Sequence, residues 1–125
     1  MTRYANRETA LHIVARYGFI DAAKRLIKDG ANISAKDGDK RQPLHRACFE
    51  GHTELAELLI SNGADVEAKQ QSQATPLDEA SWKGHIDIVN LLLENGAKTQ
   101  VTDKDGWSPL YTASRYGHSK IVQRL

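Results

Sequence analysis

The residues of this chain whose types could do chemistry are five histidines, one cysteine and an adjacent His118-Ser119 pair. Imidazoles bind metals and move protons, a thiolate attacks electrophiles, and a serine beside a histidine can become a nucleophile. The spacing argues against each use. His52, His85 and His118 are 33 residues apart, and so are His12 and His45. A metal needs its ligands about 2 Å from one point, whereas equivalent atoms in successive units of packed helices lie about 10 Å apart. His118-Ser119 has no third partner and no strand–turn–helix elbow to provide an oriented base and an oxyanion site. Cys48 follows Ala47 on a predicted helix and reads as a small core residue rather than a reactive thiol. There is no Gly-x-Gly-x-x-Gly or Walker loop to cradle a phosphate. The expectation is therefore no catalytic residue, no metal site and no cofactor.

The step that separates the histidines runs through the whole sequence. Gly18, Gly51, Gly84 and Gly117 keep it, as do Leu11, Leu44, Leu77 and Leu110, and the pairs Gly30-Ala31, Gly63-Ala64 and Gly96-Ala97. A fixed period of this length marks a solenoid, in which each unit buries its apolar face only against its neighbours. Such a chain presents an extended surface and offers no obvious catalytic pocket.

One unit can be read residue by residue. Thr75 can cap the free amides of a first turn, and Pro76 suits the first helical position, where no amide is needed. The predicted helix runs from Pro76 to about Lys83 and stops at Gly84, which readily takes the left-handed conformation. A second helix is predicted from about Ile86 to Glu94, with Ile88, Val89, Leu91, Leu92 and Leu93 as its apolar stripe. The polar segments between units, rich in Asp, Lys, Gln and Gly, favour a turn or hairpin. Pro43 and Pro109 match Pro76, Thr9 and Ser108 match Thr75, and Leu55, Ala56, Leu58, Leu59 and Ile60 match the second-helix stripe.

Bulk properties exclude several classes. The length of 125 residues suits one domain, and the formal net charge of +1 gives no global attraction to nucleic acid or an anionic membrane. One cysteine allows no intrachain disulfide, which fits a reducing compartment. The opening MTRYANRE has no apolar run of a signal peptide, and no stretch approaches the roughly 18 apolar residues of a membrane span.

Thr75-Pro76-Leu77, Pro43-Leu44-His45-Arg46-Ala47, Gly51-His52, Gly63-Ala64-Asp65-Val66 and the run from Asp103 to Leu110 (DKDGWSPL) together resemble ankyrin repeats over essentially the whole chain. Departures are local. Ala10 stands where the motif has Pro, Gln42 where it has Thr, and Asp78 and Tyr111 where His12 and His45 stand in other units. Gln70 and Gln73 replace the Asp and Gly found at Asp103 and Gly106, so a less regular hairpin is expected before the third unit. The resemblance implies an all-α repeat solenoid, an ankyrin-type stack of helix-turn-helix units joined by β-hairpin-like loops. It implies one domain, 1–125, with repeats at about 4–36, 37–69, 70–102 and 103–125. It also implies histidines that tie hairpins and helices together by hydrogen bonds.

In function, the resemblance implies a non-enzymatic module that binds a protein partner through a concave face of hairpins and first helices, in an intracellular, cytoplasmic setting. The family pattern exposes hairpin tips and the last turn of each first helix. Here these positions include Tyr17, Arg41, Phe49, Glu50, Trp82, Lys83, Trp107, Arg115 and Tyr116. Five of the chain's eight aromatic residues are in this set, and Trp, Tyr and Arg are the types most enriched among interface hot spots. The charges are mixed: Arg16, Arg41, Lys83, Lys104 and Arg115 against Asp39, Glu50 and Asp105. Mixed signs favour a protein partner over a phosphate backbone, so nucleic acid is not expected.

Solenoids need polar outer faces on their terminal units. Arg25 and Arg124 replace the apolar residue found at Leu58 and Leu91, which would serve that end. The chain stops at Leu125 in mid-helix, before any Gly-Ala turn, and reads as a piece of a longer array. A monomer is expected. The alternative is a passive structural spacer, or a segment that self-associates through the truncated last helix.

Overall fold

The computed structural model describes residues 7–125. Helix α5 (Pro76–Lys83) begins where Thr75 accepts the Asp78 N–H on its side chain and ends at Gly84, φ 83°. Helix α6 (Ile86–Glu94) follows after one turn. The same arrangement recurs in α1 (Ala10–Tyr17) and α2 (Ile20–Lys28), α3 (Pro43–Glu50) and α4 (Thr53–Ser61), and α7 (Pro109–Arg115) and α8 (Ser119–Arg124). Thr9 and Ser108 cap α1 and α7 as Thr75 caps α5. Gln42 has no such hydroxyl, and its Oε1 is buried without a hydrogen-bond partner. Among the described residues there are eight helices and no strand. The repeat boundary expected at about residue 4 lies outside the described residues.

Helices of six to nine residues are not stable alone, so the packing between them carries the fold. First helices α1, α3, α5 and α7 stack in one layer, and second helices α2, α4, α6 and α8 in another. Leu11, Leu44 and Leu77 fill the first layer, and Leu55, Leu59, Ile88, Val89 and Leu92 the second. The expected stripes are narrower than predicted. Leu58, Ile60, Leu91 and Leu93 are only partly buried, flanking a fully buried centre.

The connecting loops are hairpin-like turns at a constant register. The Asp37 N–H donates to the Arg41 carbonyl at 2.9 Å, Gln70 to Ala74 at 3.1 Å, and Asp103 to Trp107 at 2.9 Å. Neighbouring loops are joined: the Gln71 N–H donates to the Asp39 carbonyl at 2.8 Å and the Lys104 N–H to Ser72 at 2.9 Å. The hairpin expected to be irregular keeps this backbone pattern, and Gln73 takes the left-handed conformation, φ 68°, that Gly106 takes at φ 82°. Only the side-chain bonds differ. Asp37 and Asp103 each accept two loop N–H groups on Oδ1, whereas Gln70 turns its amide away from its own loop, toward Arg41 and Glu79.

The histidines divide into two structural sets. His12 and His45 sit in the first turns of α1 and α3. Nδ1 of each accepts the N-cap N–H, so Nε2 carries the proton, and it donates to Arg41 O at 2.7 Å and Ala68 O at 2.9 Å respectively. His52, His85 and His118 donate from Nε2 to the carbonyls of Arg16, Phe49 and Trp82 at 2.8, 3.0 and 2.8 Å. Those carbonyls lie in the last turns of the preceding first helices, where no intrahelical amide remains for them. Each ring thus caps the helix of the unit before it.

Candidate functional site

First helices α5 and α7, with the loops before α3, α5 and α7, border an open groove of about 520 Å³. The sequence leads to the expectation of an extended surface with no obvious catalytic pocket, and the space observed is an open groove on that surface. Trp82 comes from the last turn of α5, Trp107 from the loop before α7, Tyr116 from the end of α7, and Arg41 from the loop before α3.

Of the nine residues singled out from the sequence, these four line the groove. Phe49 is beside it, edge-on to Trp82 with ring centroids 5.3 Å apart, and Trp82 in turn lies 6.3 Å from Tyr116. The Lys83 ammonium is over the Phe49 ring at 4.9 Å and the Trp82 ring at 5.6 Å, and the Arg115 guanidinium is 5.6 Å from the Trp107 ring. Contacts of this kind hold cations at aromatic faces and fix the rings. Trp82 and Tyr116 remain 40% and 48% exposed, leaving ring surface available to another molecule. Glu50 is exposed but does not line the groove. Tyr17 lies apart, stacked on Phe19 at 5.7 Å with Arg16 at 5.9 Å from its ring.

The groove also contains residues the sequence reading passed over. Asp78 and Glu79, in the first turn of α5, line it together with Gln70 and Asp103. A sequence signal existed: Asp78-Glu79 occupies the register of His45-Arg46 in the unit before. Asp78 accepts the Thr75 N–H on Oδ2 at 2.9 Å, but a carboxylate cannot donate onward as the His45 ring does. Its Oδ1 and Glu79 Oε1 are buried without a hydrogen-bond partner. Burial raises the Asp78 carboxyl to about 6, aided by the charges of Asp103 and Glu79 and opposed by the bonds from Thr75. Burial likewise raises Glu79, against the Gln70 amide and the charges of Arg41, Arg46 and Lys83. A helix N-terminus favours the charged form, but here desolvation outweighs it. With these groups the groove is more acidic than the mixed face expected. Asp39, Asp78, Glu79, Asp103 and Asp105 line it against Arg41 and Lys104.

The other candidate groups are structural. Cys48 is fully buried, and burial pushes its thiol up, away from the reactive thiolate. His45 is lowered to about 4, chiefly by burial, and stays neutral. Among the described residues no three His, Cys, Asp or Glu side chains converge as a metal would require. No described helix is long and apolar enough to cross a membrane.

Comparison with known families matches the one described as ankyrin repeats (3 copies) over residues 2–70 and 70–125. Among curated proteins, a 40-residue stretch is 55% identical to neurogenic locus notch homolog protein 2 of Homo sapiens. It is 52% identical to neurogenic locus notch homolog protein 1 of Xenopus laevis and 50% identical to neurogenic locus Notch protein of Drosophila melanogaster. Each match covers 32% of this chain and 2% of the relative.

Proposed function

The chain belongs to the ankyrin-repeat family, and from that premise we propose that it is a non-enzymatic module that binds a protein partner through the groove face of its hairpins and first helices. Ankyrin repeats are in general protein–protein interaction modules. The observation that carries the choice of face is the row Phe49, Trp82 and Tyr116, with Trp107 also lining the groove. Large rings left partly exposed together bury much area at low entropic cost when a partner covers them. Arg41, Lys83 and Arg115 set orientation at its edges. Glu50 and Tyr17 are peripheral in this reading and contribute only to a partner that extends beyond the groove. The chain acts as one domain over 1–125, as a monomer in an intracellular, cytoplasmic setting, where the buried Cys48 thiol needs no oxidised partner.

The test is a lysate pull-down with the chain beside a folded Trp82→Ala/Trp107→Ala/Tyr116→Ala control. A protein retained by the parent and lost by the control is the expected result. For that partner, each tryptophan truncation should cost about 2 kcal/mol or more. Equal affinity in folded Trp82→Ala and Trp107→Ala proteins would rule this face out. A mass independent of concentration in sedimentation is expected, and self-association would favour the spacer reading.

A further inference from the structure

Among the described residues the two carboxylates of the groove floor, Asp78 and Glu79, make no direct ion pair, although the charges of Arg41, Arg46 and Lys83 act on Glu79. In the second unit Arg46 meets Glu8 at 3.4 Å and Asp37 at 3.5 Å, so its charge is balanced. In the third unit the same register holds Glu79, whose Oε2 accepts from the Gln70 amide. Gln70 in turn accepts the Arg41 Nε–H on its oxygen at 2.8 Å, so this guanidinium is linked to Glu79 through an amide. Glu79 Oε1 and Asp78 Oδ1 receive no donor, although both side chains line the groove and their residues are only 4% and 6% exposed. A buried acceptor left unpaired is costly, and more so when charged. The terminal torsions of Asp and Glu are broad, so either carboxylate can turn an oxygen outward at little cost.

The surroundings specify the missing donor. Five carboxylates against two cations line the groove of a chain whose formal charge is +1 overall. That concentrates negative potential there and disfavours an acidic partner. The indoles of Trp82 and Trp107 each hold a cation of this chain at 5.6 Å, Lys83 and Arg115 respectively, and each has a second flat face with the same attraction for cations. A volume of about 520 Å³ lies within the roughly 300–1,000 Å³ of ligand clefts. Guanidinium is planar, stacks on aromatic rings and has five donors for separated acceptors, whereas ammonium is a compact and strongly hydrated point charge.

We propose that the groove takes an arginine side chain from an extended segment of the partner protein, its guanidinium donating to Asp78 and Glu79 with its plane against the tryptophan rings. This rests on the protein-binding reading above and adds the chemistry of what is bound.

The chain has only two tryptophans, both in the groove, so their indole N–H resonances are built-in reporters. The ¹⁵N-labelled full chain is titrated with three acetylated, amidated heptapeptides that differ only in a central Arg, citrulline or Glu. The Arg peptide should shift both indoles, citrulline should bind about tenfold more weakly, and Glu should shift neither. Glu79→Gln keeps an acceptor for Gln70 and removes a buried charge, so it should fold at least as stably yet bind the Arg peptide about tenfold more weakly. Equal binding of Arg and citrulline, no loss in Glu79→Gln, or no indole shift would each overturn the inference. The pull-down separates this from the broader reading. A groove-dependent partner that binds Glu79→Gln undiminished overturns the arginine inference alone, whereas capture that never depends on the groove removes both.

Discussion

The His85 imidazole occupies the space that a side chain on Gly51 would need: a Cβ placed there would lie 2.7 Å from the ring Cε1. The same ring donates from Nε2 to the Phe49 carbonyl at 3.0 Å. The pair therefore performs one task. The missing side chain lets the ring approach the helix end, and the ring supplies a donor the helix lacks. Gly18 with His52 and Gly84 with His118 repeat the contact, which accounts for the Gly-His dipeptides at a period of 33.

Gly51 and Gly117 separate the two demands. Both have positive φ, 88° and 76°, but a Cβ on Gly117 meets nothing within 4 Å. Alanine at Gly117 should cost only the left-handed penalty, about 1–2 kcal/mol. Alanine at Gly51 should cost about 1–2 kcal/mol more, because the His85 bond is displaced as well. Urea unfolding of both variants checks this. In a His85→Ala background the extra penalty at Gly51 should vanish, and equal costs in the parent would contradict the packing role.

Loop tips give the converse case. Lys40 and Gln73 take φ 61° and 68° at the register where Gly106 takes 82°. A non-glycine residue pays about 1–2 kcal/mol in this region, partly offset by glycine's greater unfolded-state freedom. Lys40→Gly and Gln73→Gly should each raise stability by about 0.5–1 kcal/mol, and Gly106→Ala should lower it by a similar amount. Thermal melts that move the other way would show that the tip side chains contribute more than their strain.

Much of this architecture was legible because its signals are local. Thr75, Pro76 and Gly84 bracket a helix through bonds within a few residues, and repetition at one period multiplies a weak signal. The groove was not legible in the same way. It is made by side chains from three loops and two first helices, and its floor depends on whether Asp78 and Glu79 find ion-pair partners. Arg46 makes ion pairs with Glu8 and Asp37, whereas Glu79 at the same register makes none among the described residues and leaves one oxygen without a donor. Tyr17 shows the limit again: its expected register is right, but Phe19 provides a nearer partner than the other aromatic residues. Exposure of a ring follows from repeat position, whereas its neighbours follow from the particular sequence.

The second-helix stripe makes a graded prediction. Leu92 is fully buried between neighbouring second helices, whereas adjacent Leu93 is only partly buried. Leu92→Ala, like Leu59→Ala, should cost about 2–5 kcal/mol through the cavity it leaves. Leu93→Ala should cost about 1 kcal/mol, in keeping with its smaller loss of buried area. Denaturant midpoints at an unchanged m-value measure both. Equal losses at Leu92 and Leu93 would mean that the layers are less sharply divided than the burial indicates.

Asp78 and His45 hold one register in adjacent units and titrate in opposite senses. His45 has a folded value of about 4 against 6.5. Between those values the unfolded chain binds more protons, so this group makes stability fall as pH drops. Asp78 has a folded value of about 6 against 3.8. Between those values the native state binds more protons, so this group makes stability rise as pH drops. Each contributes a slope of up to about 1.4 kcal/mol per pH unit, and between pH 6 and 4 the two largely cancel. Asp78→Asn keeps an acceptor for the Thr75 N–H and removes the buried charge. It should be about 1–2 kcal/mol more stable than the parent at pH 7, where Asp78 pays its desolvation cost. It should then lose stability more steeply than the parent from pH 6 to 4, because the His45 contribution is no longer offset. Chemical denaturation across that interval provides the check. Parallel pH profiles for parent and variant would mean that the Asp78 carboxyl is not held above its ordinary range by burial.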